Sequence, residues 1–248
     1  MRITRNHIIF IALFLVTSLS NHAQVINAGV GGNTTVHLLE RLHDDVLEKA
    51  PDLVIVMVGT NDMLNSRKLV SYQAYEDNLE HIVNSIKQTH SKVVLMTSPP
   101  ADSVYLFERH DKKLFNEAPN VKLDSARNSV SRVAKKLSGH YLDLFQIFKD
   151  MNLPKHNSDL FFKNISNSGA ADGVHPTALG YRFIGELVFR YLKENQLMEK
   201  SQKIICLGDS ITYGSGMQGR GTATGDTYPA ILQNFIKEYN SVNRTTNN

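Results

Sequence analysis

The 248-residue sequence holds one cysteine, Cys206, and no tryptophan. A lone thiol excludes an intramolecular disulfide, so the fold must rely on its core. Cys206 lies in an apolar run, where the role of a small hydrophobe suits it. An excess of one charge is also missing, since 27 Lys and Arg stand against 24 Asp and Glu. Residues 1–23 carry two of the basic residues, Arg2 and Arg5, and no acidic one, which leaves 25 minus 24, or +1, for the rest. That balance offers no electrostatic basis for binding nucleic acid. Internal repeats, heptads and long low-complexity tracts are absent, which sets aside solenoid and fibrous folds. No Gly-Lys-Ser/Thr occurs, and the glycine loop at Asn27–Asn33 lacks the full Gly-x-Gly-x-x-Gly spacing, so a nucleotide cradle is not expected. No His-Glu-x-x-His occurs, and His37 and His43 are spaced for different helix faces, so neither a metal nor an organic cofactor is implied.

The N-terminus reads as a signal peptide. Arg2 and Arg5 form a basic n-region, Ile8–Val16 an apolar h-region, and Thr17–Ala23 a small, polar c-region. The apolar run is too short to span a bilayer comfortably. The expected division is a signal peptide over residues 1–23 and a single domain over residues 24–248, secreted or periplasmic, without stable membrane insertion after cleavage. No cysteine follows the h-region, which argues against lipid attachment.

Beyond that segment, short aliphatic runs alternate with amphipathic stretches of helix length. Val25–Ala28, Leu53–Val58, Val93–Thr97, Tyr141–Leu144 and Lys203–Leu207 read as strands buried on both faces of a parallel sheet. Thr35–Lys49, Tyr72–Thr89, Val121–Leu137, Ala178–Leu192 and Tyr228–Tyr239 read as helices. This alternation predicts an α/β fold, a three-layer α/β/α sandwich. Two stretches, Ala101–Asn120 and Asp150–Ala171, break the rhythm. Their aromatics Tyr105, Phe107, Phe115, Phe161 and Phe162 are read either as ordinary loop packing or as walls of a substrate cleft.

Chemistry concentrates where strands end. Ser210 follows the run Ile204–Leu207 within Gly208-Asp209-Ser210. A serine there points into the crevice at the C-terminal edge of a parallel sheet. Asp172 and His175 are three residues apart in a loop closed by Pro176, a spacing that lets the carboxylate reach the imidazole and leave its other nitrogen for a serine. The loops Asn27–Asn33 and Gly59-Thr60-Asn61-Asp62 can supply backbone and amide N–H groups to an oxyanion. Taken singly, each motif is also compatible with a plain turn. Asp209 is read as a brace for the serine turn rather than a chemical participant.

Together the four motifs resemble the SGNH (GDSL) hydrolase family. Gly208-Asp209-Ser210 is similar to that family's nucleophile block. Asn27–Thr34 is similar to its glycine block, with Gly32 at the oxyanion position. Gly59-Thr60-Asn61-Asp62 is similar to its asparagine block, and Asp172-Gly173-Val174-His175-Pro176 to its last block. The resemblance implies a parallel five-stranded, flavodoxin-like sheet. It also implies nucleophile Ser210, base His175 and orienting acid Asp172, with an oxyanion hole of Ser210, Gly32 and Asn61 and no cofactor. The order departs from the family's: its blocks run Ser, Gly, Asn, Asp-His, whereas here the serine comes last, as in a circular permutation. A permuted chain should bring Asn240 and Val25 to the same end of the domain. The expected function is an exported serine esterase for short acyl groups, with acetyl on carbohydrate favoured. Its partner would be a small-molecule or glycan ester, with no nucleic acid and the oligomeric state left open. The alternatives are a lysophospholipase- or thioesterase-type acyl hydrolase, or a non-catalytic glycan-binding module on the same fold.

Overall fold

A computed structural model describes residues 23–245. The expected signal peptide, Ala23 excepted, lies outside the described residues. Five strands, β1 (Gln24–Gly29), β2 (Leu53–Met57), β3 (Lys92–Met96), β4 (His140–Leu142) and β5 (Lys203–Gly208), form one sheet in the order β1-β5-β2-β3-β4. Every pairing is parallel. Ten helices occur among the described residues: α1 (Thr35–Asp45), α2 (Thr60–Leu64), α3 (Tyr72–Gln88), α4 (Ser103–Arg109), α5 (Pro119–Lys136), α6 (Leu144–Asp150), α7 (Ile165–Ser168), α8 (Ala178–Glu194), α9 (Ser210–Tyr213) and α10 (Tyr228–Thr245).

Alternation along the strands sorts the core into two layers. Val54, Val56, Ile205 and Leu207 face α1, α3 and α5, where Leu38, Ile82 and Val133 meet them. Leu53, Ile55, Ile204 and Cys206 face the other way, onto Ile184 and Val188 of α8 and Leu232 of α10. Cys206 is fully buried, and burial pushes its thiol up to about 12, as befits an inert core residue. Truncating a buried aliphatic such as Ile55 to alanine should cost roughly 2–5 kcal/mol.

The structure departs from the sequence reading at the end of β4 and decides between the two readings of the aromatics. Leu144 was expected to continue β4, but Asp143 accepts from Gln146 N–H at 3.1 Å and so caps α6, which Leu144 begins. Of the two readings of the irregular-stretch aromatics, packing holds for Tyr105 and Phe162, which are core residues. Tyr105 packs on the His156 ring at 4.6 Å, and Phe162 on Phe148 at 5.1 Å. β1 is an edge strand paired only with β5. Its start is held instead by α10: Gln233 accepts from Val25 N–H at 2.7 Å and donates to the Ala23 carbonyl at 3.1 Å. The first turns of α10 therefore lie beside the beginning of β1.

Candidate active site

Sheet register brings three loops level. Gly208 of β5 lies opposite Gly29 of β1 on one side and Met57 of β2 on the other. Ser210 thus emerges between the loop carrying Gly32 and the loop carrying Asn61. Asp209 caps α9 by accepting from Ile211 N–H at 2.9 Å, which turns the chain sharply and leaves Ser210 at the start of the helix.

The histidine loop is clamped from two sides. Lys163 N–H donates to the His175 carbonyl at 2.9 Å, and Gly173 N–H to the Lys163 carbonyl at 2.8 Å. Asp102 N–H, at the start of α4, donates to the Gly173 carbonyl at 2.8 Å. Gly173 has φ +65, and a Cβ there would lie 2.6 Å from that of Asp102, so only glycine allows α4 this close. Within the loop, Asp172 Oδ1 accepts from the N–H groups of Val174 and His175 at 3.0 and 2.8 Å. Asp172 Oδ2 lies 2.8 Å from His175 Nδ1, and His175 Nε2 lies 3.0 Å from Ser210 Oγ.

Two opposed effects set the Asp172 carboxyl. Burial raises its pKa, while the His175 hydrogen bond and charge and the two backbone N–H groups lower it more, leaving it well below the carboxylate range. It is an anion that can hold the His175 tautomer with Nε2 facing the serine. Asp209 behaves oppositely. It is fully buried, and burial pushes its carboxyl up to about 6 despite the Ile211 N–H. Its Oδ2 has no hydrogen-bond partner among the described residues. A brace that caps α9 fits this environment.

The glycine and asparagine loops are tied by long-range contacts. Asn61 Nδ2 donates to the Asn33 carbonyl at 3.0 Å, and Asn65 Nδ2 lies 3.5 Å from Asn61 Oδ1, which fixes which way the Asn61 amide faces. Asp62 Oδ1 accepts from Thr35 N–H at 2.9 Å and from its hydroxyl at 2.6 Å, locking the start of α1 to α2. Arg41 donates to Asn33 Oδ1 at 2.8 Å and to the Ala28 and Gly208 carbonyls at 2.9 Å each. One guanidinium therefore joins the glycine loop to the ends of β1 and β5. Lys68 donates to the Gly32 carbonyl at 2.9 Å. Sequence reading had singled out none of Arg41, Asn65 or Lys68. Arg41 and Lys68 reach partners on other loops, so no local spacing marks them, whereas Asn65 meets Asn61 one helical turn away.

Of the two histidines weighed as metal ligands, His37 has its Nδ1 occupied at the α1 cap, 2.7 Å from Thr34 Oγ1. His43 is exposed at the side of Asp44 and Glu48, outside this site. A cavity of about 70 Å³ opens over Ser210 and His175, lined by Asn61, Leu64, Leu106 and Val174 among others. Beyond Ser210, His175 and Asn61, its lining divides into the aliphatic Leu64, Leu106 and Val174 and the polar Thr60, Asn65, Arg109 and His110.

These features define a class, the parallel α/β folds that gather polar side chains, here Ser210, His175 and Asp172, at the C-terminal edge of the sheet. The family model described as "GDSL-like Lipase/Acylhydrolase family" matches residues 13–183, and the chain belongs to that family, whose members hydrolyse acyl esters. The matched span includes Gly32, Asn61, Asp172 and His175 and stops before Ser210. Among curated proteins, the chain is 25% identical over 199 residues to the uncharacterized lipoprotein YqeF of Bacillus subtilis strain 168, covering 75% of this chain and 79% of that one. It is 24% identical over 174 residues to an acetylxylan esterase of Geobacillus stearothermophilus, covering 67% and 71%. Among solved structures, a catalytic mutant of the acetylxylan esterase Axe2 from Geobacillus stearothermophilus superposes with a TM-score of 0.51 at 22% identity, covering 65% of this chain and 68% of that one. That likeness establishes the shared fold. Among the described residues, no helix is long and apolar enough to cross a membrane.

Proposed function

We propose that this chain is an exported serine esterase that removes short acyl groups, acetyl foremost, from carbohydrate. The observation carrying the proposal is the hydrogen-bond series Asp172–His175–Ser210, at 2.8 and 3.0 Å, beneath a cavity of about 70 Å³. A short acyl group suits a cavity of that size. The acetylxylan esterase relative supports the choice of acetyl on sugar. Export is supported by the signal-like N-terminus and by a relative described as a lipoprotein.

In the proposed mechanism, Ser210 Oγ attacks the ester carbonyl carbon as His175 Nε2 takes its proton. Asp172 keeps the imidazole oriented and stabilises the imidazolium. The carbonyl oxygen becomes an oxyanion and is held by the N–H groups of Ser210 and Gly32 and by the second N–H of Asn61 Nδ2. The tetrahedral species collapses, and the alcohol leaves with the proton from His175. Water then attacks the acyl-enzyme, activated by the same imidazole, and releases the carboxylic acid and free Ser210.

We also propose that the domain is circularly permuted. With β5 counted first, the sheet order becomes 2-1-3-4-5, a common order of doubly wound folds. The Gln233 contacts with Ala23 and Val25, which join α10 to the start of β1, support this reading. Surface cuts between neighbouring termini are the kind that folds tolerate.

One experiment tests both proposals. Initial rates on p-nitrophenyl acetate, butyrate, octanoate and palmitate are measured for the purified protein, its Ser210→Ala variant, and a re-cut chain in which residues 201–248 precede residues 24–200. Acetate should be preferred, the preference should vanish in Ser210→Ala, and the re-cut chain should retain it. Octanoate or palmitate preference would redirect the reading to lipid or thioester substrates. A folded protein without serine-dependent hydrolysis would leave a binding module. A re-cut chain that does not fold would overturn the permutation.

A further inference from the structure

His110 follows α4 directly and lines the cavity that contains Ser210, His175 and Asn61. The proposed mechanism gives it no task. Its Nδ1 accepts from the Ser66 N–H at 3.3 Å and lies 3.2 Å from Ser66 Oγ. A backbone N–H can only donate, so Nδ1 is the bare nitrogen and the ring proton sits on Nε2. Burial, with the nearby charges of Arg109 and Arg67, lowers the His110 pKa below the ordinary histidine value. The ring is therefore a neutral imidazole at neutral pH, with an oriented Nε2–H donor.

That donor has no protein partner among the described residues. Of the other polar lining residues, Asn65 and Arg109 have partners, while the buried Thr60 hydroxyl has none among the described residues. Asn65 Oδ1 accepts from Arg67 N–H at 3.1 Å while its amide faces Asn61, and the Arg109 guanidinium lies 3.7 Å from the Asp172 carboxylate. A half-buried donor left open in a binding cavity calls for an acceptor from outside the protein. In a bound acetyl ester the carbonyl oxygen belongs to the oxyanion donors, and the methyl group has no polar atom. The acceptor must therefore come from the alcohol portion.

We infer that His110 is a specificity-determining residue, whose Nε2–H donates to a hydroxyl oxygen of the sugar that carries the acyl group. This inference rests on the esterase reading above. Arg109 and Ser66 act through His110: one anchors the end of α4 beside Asp172, and the other sets the tautomer.

The test compares acetylated xylo-oligosaccharide with phenyl acetate, whose alcohol portion offers no further acceptor. In His110→Ala, the ratio of kcat/KM for the sugar ester to that for phenyl acetate should fall roughly three- to tenfold, the loss of one hydrogen bond, and mainly through KM. His110→Gln, which can donate from a similar position, should recover part of that ratio. Calorimetric binding of the acetylated xylo-oligosaccharide to Ser210→Ala should weaken by a similar factor when His110→Ala is added. An unchanged ratio, or equal losses on both esters, would overturn the inference and leave the esterase reading standing. So would a wild type that cleaves phenyl acetate through Ser210 but not the sugar ester. Hydrolysis of both esters that persists in Ser210→Ala would sink the esterase reading, and the inference with it.

Discussion

The two halves of the site are built differently. The half that holds His175 is local: Asp172 reaches back over three residues to meet both the ring and the backbone of His175. The half that holds Gly32 and Asn61 is assembled from distant pieces. Asn61 meets Asn33 across 28 positions, and Arg41 meets Gly208 across 167. A local loop forms its geometry with little loss of chain entropy, whereas the distributed half exists only after β1, β5 and β2 are in register. The local half should therefore fail by losing chemistry, and the distributed half by losing geometry and stability together.

Asp172→Asn gives the sharpest contrast. It keeps a carbonyl acceptor for the Val174 and His175 N–H groups but removes the anion that orients the imidazole. Turnover on p-nitrophenyl acetate should fall by roughly 10⁴-fold with little change in the thermal midpoint. A loss under tenfold would show that Asp172 does not orient His175.

Asp209→Asn addresses the brace between the halves. The folded-state pKa of Asp209 is raised to about 6 from an ordinary 3.8, so the folded protein holds that proton more tightly than the unfolded chain. Stability from this group is then greatest below pH 3.8 and falls as pH rises towards 6, by roughly 2–4 kcal/mol across the window. The asparagine variant should lose this dependence, and urea unfolding at pH 4.5 and pH 7.5 would measure it. An equal pH response in the two proteins would contradict the burial argument.

The smallest expected effect belongs to Arg41→Met. It removes a donor from Asn33 Oδ1 and from the Ala28 and Gly208 carbonyls, the last of which keeps the Val30 N–H. Turnover should drop about tenfold and stability by about 1–3 kcal/mol, read from p-nitrophenyl acetate kinetics and urea titration. Loss of turnover at unchanged stability would mean that the glycine loop does not depend on this staple.

Legibility followed the same division. Strands were readable because residues such as Val54, Ile55 and Val56 form β-branched runs buried on both faces, and long helices because α3 and α8 repeat their apolar positions at helical spacing. The short elements α2, α4, α6, α7 and α9 were not, since caps such as Asp102, Asp143 and Asp209 set them more than periodicity does. Aromatics in irregular stretches stayed undecided for a related reason: Tyr105 lies outside every periodic run, yet α4 carries it into the core.

The sequence by itself determined the layer architecture, the five strands and the close pairing of Asp172 with His175, because period, burial and short-range spacing act within a few residues. Tertiary structure alone decided that β1 lies at the sheet edge under Gln233, that Arg41, Asn65 and Asp62 hold the oxyanion loops, and that Ser66 turns the His110 donor outward. Those outcomes depend on register and on contacts between separate loops, which come into being only when the sheet closes around β5.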